Sequence, residues 1–193
     1  VPPRAPLQYG KALHTTLQKY LAQFLEQATK VQGDLFTSSD MSTSRNGEIS
    51  KYPPLETLMR LYDESWSPDW FEHSDQRDRY KQQGRQALEW FWAQLQENIP
   101  KPAALEQGFT IRVGTSSIKG RIDRVDSIPG GVEIIDYKTG NAPATLDASA
   151  KRQLLLYQIA ARDPHILGQI PQKLTYIYLD AQTSVSFVGS ESD

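Results

Sequence analysis

Residues 120–140 read GRIDRVDSIPGGVEIIDYKTG, a pattern of two strands joined by a tight turn. Pro129 presets a negative φ for the turn, and Gly130 and Gly131 supply the freedom in φ that the chain reversal needs. The segment Val132–Lys138 is rich in β-branched and aromatic residues, which favour a pleated strand. We therefore predict a hairpin here, and we expect the other elements to pack around it.

Charged residues continue the inward face of the second strand. Side chains alternate across a strand, so one face carries Val132, Ile134, Asp136 and Lys138. A carboxylate and an ammonium at a half-covered edge cost free energy unless something uses them. Asp123, on the preceding strand, approaches the same spot. From these residues alone two interpretations stay open: a weak ion pair at a fraying strand end, or a site for a hard divalent cation and a phosphate.

The composition is that of an ordinary globular protein and excludes several classes of site. Of the 193 residues, 38% are hydrophobic and 23% charged, enough for one sizeable core or for a core with a helical subdomain. The chain has no cysteine, which excludes disulfides, thiolate zinc sites and cysteine-ligated iron–sulfur clusters. A chain without cysteine suits a reducing compartment, and we expect a cytoplasmic protein.

The net charge of −2 argues against a protein that coats nucleic acid broadly, but it permits a local basic groove. No apolar run approaches the roughly 18 residues of a membrane span, and no signal-peptide pattern is present, so we expect no membrane partner. The chain begins with Val1, and we interpret it as a piece of a longer protein.

The first half of the chain predicts helices. Residues 1–9 carry three prolines, and we expect an extended lead-in. Apolar residues then recur three and four apart from about Gly10, which predicts an amphipathic helix. Residues 32–52 are rich in Ser, Thr, Gly and Asn and predict a long loop. Pro53 and Pro54 open a second helix, and a third is predicted over Ser74–Asn98.

The second half alternates as strands do. The aromatic turn Ser65–Phe71 is expected to pin the preceding helices, and strands are then predicted from Phe109 onward. A helix over Asp147–Arg162 is apolar almost all round, as expected for close packing on a sheet. Strands at Gln172–Asp180 and Ser184–Val188 complete the predicted order.

Three polar residues on the predicted helices are candidate functional residues. Gln153 and Tyr157 lie one turn apart on a helix expected to be buried, so both need hydrogen-bond partners. His14 sits beside the apolar stripe of the first helix. Taken alone, such a histidine is more often a boundary residue than a ligand.

Four motifs in this order resemble the PD-(D/E)XK nuclease superfamily, and more narrowly its RecB-type branch. The matching segments are Gly10–Leu17 (Gly-x-x-x-His-x-x-Leu), Gly120–Asp126, Ile134–Gly140 (with Asp-x-Lys) and Gln153–Tyr157 (Gln-x-x-x-Tyr). The resemblance implies an α/β (α+β) fold with a restriction-endonuclease-like αβββαβ core. We expect a central mixed sheet flanked by helices and a helical insertion at about 53–98. The resemblance also implies one domain over 1–193, with 32–98 a loop-and-helix insertion.

The resemblance assigns roles residue by residue. His14, Asp123 and Asp136 are implied to be metal ligands, with the main-chain carbonyl of Tyr137, and Lys138 to be the catalytic lysine. Gln153 and Tyr157 are implied to steady the site or the DNA strand. Glu106 lies where many relatives carry a glutamate on the first strand, as a possible outer-shell residue. The implied cofactor is Mg²⁺ or Mn²⁺, without the iron–sulfur cluster of some relatives.

The implied activity is metal-dependent hydrolysis of DNA phosphodiesters, as a single-strand exonuclease in DNA repair and recombination. The implied partners are single-stranded DNA and a helicase domain, in the same chain or in another subunit. An inactive DNA-binding or scaffold module of a helicase–nuclease complex is the first alternative. An unrelated α+β domain that binds another protein is the second. The Ser/Thr-x-Leu-x-x-Tyr helix that often precedes the histidine helix in relatives has no match here.

Overall fold

The hairpin predicted from residues 120–140 lies at the centre of a five-stranded sheet in the computed structural model. The structure describes residues 4–37, 53–71, 73–145 and 147–188, with the backbone alone at 4, 27–37, 70, 113 and 188. Two compact units are present, Val1–Phe71 and Glu72–Asp193. The sheet belongs entirely to the second unit.

The first unit is helical and begins earlier than the sequence pattern predicted. It contains α1 (Arg4–Thr37), α2 (Leu55–Ser65) and a 3₁₀ turn at Pro68–Trp70. The predicted extended lead-in is wrong from residue 4, because Pro6 falls in the first helical turn, where its missing N–H costs nothing. The predicted loop is wrong at 32–37, where spacings of three and four continue the helical pattern; its remainder, 38–52, lies outside the described residues.

Aromatic residues close the end of the first unit. The Trp66 ring stacks on Phe71 with centroids 5.0 Å apart, and it meets the Tyr62 ring edge-on at 5.5 Å. Because Tyr62 belongs to α2, these contacts hold the turn against that helix. Trp66 thus packs against α2, and the expectation that the turn pins the helices together stays a prediction.

The second unit builds the mixed sheet and its two layers of helix. Its elements are α3 (Ser74–Glu97), β1 (Pro102–Val113), β2 (Ser116–Ile128), β3 (Gly131–Lys138), α4 (Ala148–Arg162), β4 (Pro171–Tyr178) and β5 (Thr183–Val188). The strand order is β1-β2-β3-β4-β5, and only the β3–β4 pair is parallel. A parallel pair needs a crossover, which α4 provides. The predicted fold class is confirmed, with a mixed sheet flanked by helices.

The two faces of the sheet meet different helices. On one face, Ile134, Leu154 and Tyr157 share a hydrophobic core, which joins β3 to α4. On the other face, Phe91 of α3 meets the Tyr137 ring edge-on at 5.8 Å. Alternation along β3 therefore sends neighbouring side chains to opposite layers.

Glycine is required where β3 begins. Gly130 has a φ of +82°, which favours glycine in the two-residue turn. A Cβ on Gly131 would lie 2.1 Å from the carbonyl oxygen of Ile170, the end of the crossover. The N–H of Val132 donates to that same oxygen at 2.9 Å. The two glycines therefore allow the segment that ends at Ile170, just before β4, to pack against the start of β3.

The surface of α4 differs from the prediction of a helix buried almost all round. Leu155 and Ile159 are 55% and 44% exposed, whereas Leu154 and Tyr157 are buried. One stripe of α4 packs on the sheet, because a helix on a single sheet face covers only part of its circumference. Asp147 caps the start of α4, since its carboxylate accepts from the N–H of Ala150 at 2.7 Å. None of the helices in the described ranges has both the length and the apolar character needed to cross a membrane.

Candidate active site

Asp136 and Lys138 lie together on the α4 face of the sheet, at the carboxyl end of β3. The Lys138 Nζ is 2.6 Å from Oδ2 of Asp136. Asp136 is only 5% exposed, whereas the Lys138 side chain is one-third exposed and reaches the edge of the site. The strand pattern predicted this pairing because residues two apart share a face.

Gln153 of α4 bridges the two charged groups. Its Oε1 accepts from Lys138 Nζ at 2.9 Å, and its Nε2 donates to Asp136 Oδ1 at 3.2 Å. The reverse orientation of the amide would set an oxygen against the carboxylate and an NH₂ against the ammonium. The two charges therefore fix the orientation of the Gln153 amide, and the amide in turn holds the Lys138 ammonium in position.

Tyr157 completes the shell around the carboxylate. Its hydroxyl donates to Asp136 Oδ1 at 2.6 Å and accepts from Gln153 Nε2 at 2.8 Å. Burial raises the pKa of the Tyr157 phenol, and the charge of Asp136 raises it further. Tyr157 thus keeps its proton and acts as a fixed hydrogen-bond donor.

Tyr176 is a site neighbour that the sequence analysis missed. It lies opposite Asp136 in the parallel β3–β4 register, and its hydroxyl is 3.2 Å from Gln153 Oε1 and 3.0 Å from the carbonyl oxygen of Ala150. The Lys138 Nζ lies 5.0 Å from the centre of its ring. The β3–β4 pairing places Tyr176 beside Asp136, and a strand pattern alone does not reveal that pairing.

Asp123 approaches β3 from the neighbouring strand. Its Oδ2 accepts from the main-chain N–H of Tyr137 at 2.8 Å. The N–H and C=O of one strand residue point to the same edge, so the Tyr137 carbonyl also faces the β2 side. The next carbonyl, that of Lys138, points the other way and accepts from Leu179 at 2.9 Å. Asp123 and the Tyr137 carbonyl are therefore on one edge of β3.

Glu106 lies across from Asp123 at an interruption of the β1–β2 ladder. Glu106 has a φ of +51°, and the paired residues pass from Leu105 to Gln107 without it. A carboxylate oxygen of Glu106 comes within 4.8 Å of one on Asp123, and the Arg121 guanidinium is 3.0 Å from Glu106. Glu106 thus lies beside Asp123 and pairs with Arg121.

His14 belongs to α1 in the first unit and is half-buried there. The sequence separates it from Asp123 by a long stretch of chain, and the two residues lie in different compact units. Its assignment as a metal ligand stays a prediction.

The environment of Asp136 opposes its ionisation. Burial raises the pKa of the Asp136 carboxyl above its ordinary value of 3.8, and the negative charge of Asp123 raises it further. Lys138 and Tyr157 act in the opposite direction. A carboxylate held in this way gains free energy from an additional positive charge.

The oxygen atoms of the cluster fit a hard divalent cation. Asp136 Oδ2 is buried and lies 2.6 Å from the Lys138 ammonium, whereas Oδ1 is held by Tyr157 and Gln153. Mg²⁺ and Mn²⁺ prefer carboxylate and carbonyl oxygens. Asp123, Asp136 and the Tyr137 carbonyl are oxygen ligands of that type, although the possible ligand group that contains Asp123 includes Glu106 and not Asp136.

Two acidic residues on the opposite face of the sheet, Asp126 and Glu133, take part in separate contacts. Asp126 Oδ1 is 3.0 Å from Arg124 Nε, and Glu133 Oε1 is 3.0 Å from Lys173 Nζ. All four line a cavity of about 480 Å³ under α3. Arg124 also donates to the Tyr137 hydroxyl at 3.1 Å, so this face supports the strand that carries the site.

A sequence model of the PD-(D/E)XK nuclease superfamily matches residues 2–192. The chain therefore belongs to this superfamily. Membership implies a nuclease that hydrolyses DNA with divalent metal ions.

Among solved structures, the chain is similar to protein VC1899 from Vibrio cholerae, with 16% identity and a TM-score of 0.27. The similarity covers 80% of this chain and 44% of that chain, so this chain spans less than half of its length. The search of curated proteins found no match.

Replacing Gln153 with methionine tests the amide bridge. The variant keeps the side-chain volume but releases Lys138 and Asp136, so we expect kcat on DNA to fall by about 10- to 100-fold with little change in KM. Gln172→Met is the matched control, because Gln172 donates to the Gly130 carbonyl at the hairpin turn instead. Equal kcat values in the two variants would contradict the bridging role.

Proposed function

We propose that this chain is a Mg²⁺- or Mn²⁺-dependent deoxyribonuclease that degrades single-stranded DNA from an end, as part of a helicase–nuclease in DNA repair and recombination. The cluster of Asp136, Lys138, Gln153 and Tyr157, with Asp123 against the Tyr137 peptide, carries the proposal. The exonuclease mode, the strand preference and the helicase partner rest on the resemblance of the four motifs to the RecB-type branch.

The proposed ligands are Asp123, Asp136, the Tyr137 carbonyl and His14. A divalent cation held there would lower the pKa of a bound water and offset the negative charge of the phosphate. Tyr157 and Gln153 hold Asp136 Oδ1 by hydrogen bonds, so Oδ2, which contacts the Lys138 ammonium, is the oxygen proposed to bind the cation. The Asp136 carboxylate would therefore be held in a fixed position before a substrate binds.

Lys138 is proposed to be the catalytic lysine. Its ammonium adds positive charge where the phosphodiester gains negative charge, and it orients the attacking water. Gln153 limits the ammonium to the side of Asp136, and the Tyr176 ring lies beside it. The side chain is partly exposed, so it can reach a substrate without a rearrangement of the strand.

The test is cleavage of single-stranded DNA labelled at one end or the other, with Mg²⁺, Mn²⁺ or excess EDTA. We expect cleavage with either metal and none with EDTA. A label released early from one end, together with resistance of circular single strands, identifies an exonuclease. Cleavage of the circles would contradict the exonuclease mode and leave the nuclease assignment standing.

The inactive scaffold predicts a different result. Such a module would bind DNA yet show no cleavage with either metal, and calorimetry would detect no Mg²⁺ or Mn²⁺ binding. A protein-binding domain would show weak DNA affinity that does not respond to salt. Either outcome would overturn the proposed activity.

A further inference from the structure

The β1–β2 hairpin extends a polar face beyond the catalytic cluster. Phe109, Ile111 and Ile122 of this hairpin belong to the core on the α4 side. The opposite face carries Gly108, Thr110, Arg112, Ser117, Lys119 and Arg121, and every one of these residues is exposed. One side of the hairpin is therefore available to a ligand along its length.

That exposed face has a positive charge that the chain as a whole lacks. From Gln107 to Ile122 the hairpin carries Arg112, Lys119 and Arg121 and no acidic residue, whereas the whole chain has a net charge of −2. Arg112 and Lys119 make no ion pair within the described residues. Lysine and arginine without carboxylate partners on an open surface favour an anionic partner.

The three cations form a row with a regular step. Arg121 pairs with Gly108, Lys119 with Thr110, and Ser117 with Arg112, so each cation occupies its own level of the ladder. Adjacent same-face levels lie two residues apart, about 6.6 Å along the strand. A row of single cations at this step suits a polyanion with charges repeated along an extended chain.

The inner end of the row reaches the candidate active site. The carbonyl oxygen of Arg121 lies 3.2 Å from the Tyr157 hydroxyl, which also holds Asp136. The Arg121 guanidinium pairs with Glu106 beside Asp123. Because the cation side chains lie on the face opposite the α4 core, a strand lying along the row would meet the site at the edge of the sheet, beside Glu106 and Asp123.

We propose that Arg112, Lys119 and Arg121 form a track on the β1–β2 hairpin that binds the phosphates of a single-stranded DNA substrate outside the site of cleavage. The proposal rests on the proposed nuclease function. The track supplies affinity and direction without reading the bases, because its cations contact phosphates only. It also explains how a chain of negative net charge holds a polyanion.

The test is the double variant Arg112→Gln/Lys119→Gln, which leaves Arg121 and its contact with Glu106 intact. Each cation that neutralises a phosphate of single-stranded DNA contributes about 0.7 to the slope of log affinity against log salt. We expect the slope to fall by about 1.4, so that raising salt from about 50 to about 200 mM weakens binding about sevenfold less than in the unchanged protein. Fluorescence anisotropy of a labelled oligothymidine in EDTA measures this without cleavage.

The matched control is Arg79→Gln/Arg162→Gln, which removes two exposed positive charges from α3 and from the end of α4. An equal slope in the two double variants would overturn the track. Polyglutamate can also be tested as a competitor of the labelled oligothymidine. If it competes as strongly as unlabelled DNA, and if this competition is lost in the track variant, the row binds an acidic protein and the proposed DNA track is overturned.

Cleavage separates failure of the track from failure of the nuclease assignment. For the track variant we expect a higher KM on a long oligonucleotide, with an unchanged kcat on a dinucleotide too short to reach Lys119. An active protein with an unchanged salt slope refutes the track alone. A protein that cleaves nothing refutes the nuclease, while the anisotropy result still decides whether the row binds DNA.

Discussion

Lys138→Met should lower kcat for cleavage of single-stranded DNA by about a thousandfold with saturating Mg²⁺ or Mn²⁺. The substitution keeps an unbranched side chain of similar length beside Gln153 and Tyr176 but removes the charge. Oxygen ligands remain, so we expect metal binding by calorimetry to persist. Quenched-flow or end-point assays at saturating DNA measure the loss.

The chain provides a matched control for this substitution in Lys173→Met. Lys173 is also a lysine paired with a carboxylate on the sheet, 3.0 Å from Glu133, but it lies on the face under α3. We expect it to retain full activity. Comparable loss in both variants would mean that the effect of Lys138→Met is structural, and full activity of Lys138→Met would refute its catalytic assignment.

Asp136→Asn should abolish cleavage and also remove the metal dependence of stability. In the unchanged protein, a cation at one hundred times its Kd raises the free energy of unfolding by about 2.7 kcal/mol, provided that it binds only the folded state. The variant loses a central ligand, so we expect thermal unfolding of Asp136→Asn to be insensitive to Mn²⁺. Asp126→Asn, a buried carboxylate on the other face, should keep both cleavage and the metal response.

The pH dependence of stability gives a second measure of Asp136. Its folded-state pKa is raised above 3.8, so the unfolded state loses this proton first as pH increases. Without metal, the contribution of Asp136 to stability is therefore complete below about pH 4 and is lost as pH rises through the folded-state pKa. We expect EDTA-treated protein to be destabilised over this interval relative to Asp136→Asn, and Mn²⁺ to reverse the difference. Parallel pH curves for the two proteins would contradict the raised pKa.

Local periodicity was sufficient to predict the half of the site that lies on β3. Asp136 and Lys138 are two residues apart, and the alternation of a strand alone places them on one face. The sequence also predicted that Gln153 and Tyr157 share one face of a buried helix and need hydrogen-bond partners, because they lie about one helical turn apart. The partners themselves follow from the crossover of α4, which no short pattern specifies.

The parts that the sequence did not predict depend on pairing over long distances. Tyr176 joins the site only because β4 runs parallel to β3, and a strand pattern does not reveal its neighbour. Leu155 and Ile159 were predicted to be buried because the sequence does not distinguish an apolar residue that packs in a core from one that is exposed to solvent. Pro6 suggested an extended start, since proline is favoured both there and in a first helical turn.

Tyr137 connects the chemistry on one face of the sheet to packing on the other. Its main-chain N–H holds Asp123, while its buried ring lies against Phe91 and its hydroxyl accepts from Arg124. Burial raises the pKa of Tyr137 to about 12 although the Arg124 charge acts in the opposite direction, and the phenol stays protonated. We therefore expect substitutions at Arg124 and Phe91 to lower activity through the position of β3, whereas substitutions at the carboxylates remove the proposed ligands. Redesign of the α3 interface would change catalytic efficiency through the peptide unit that joins Asp136 to Tyr137.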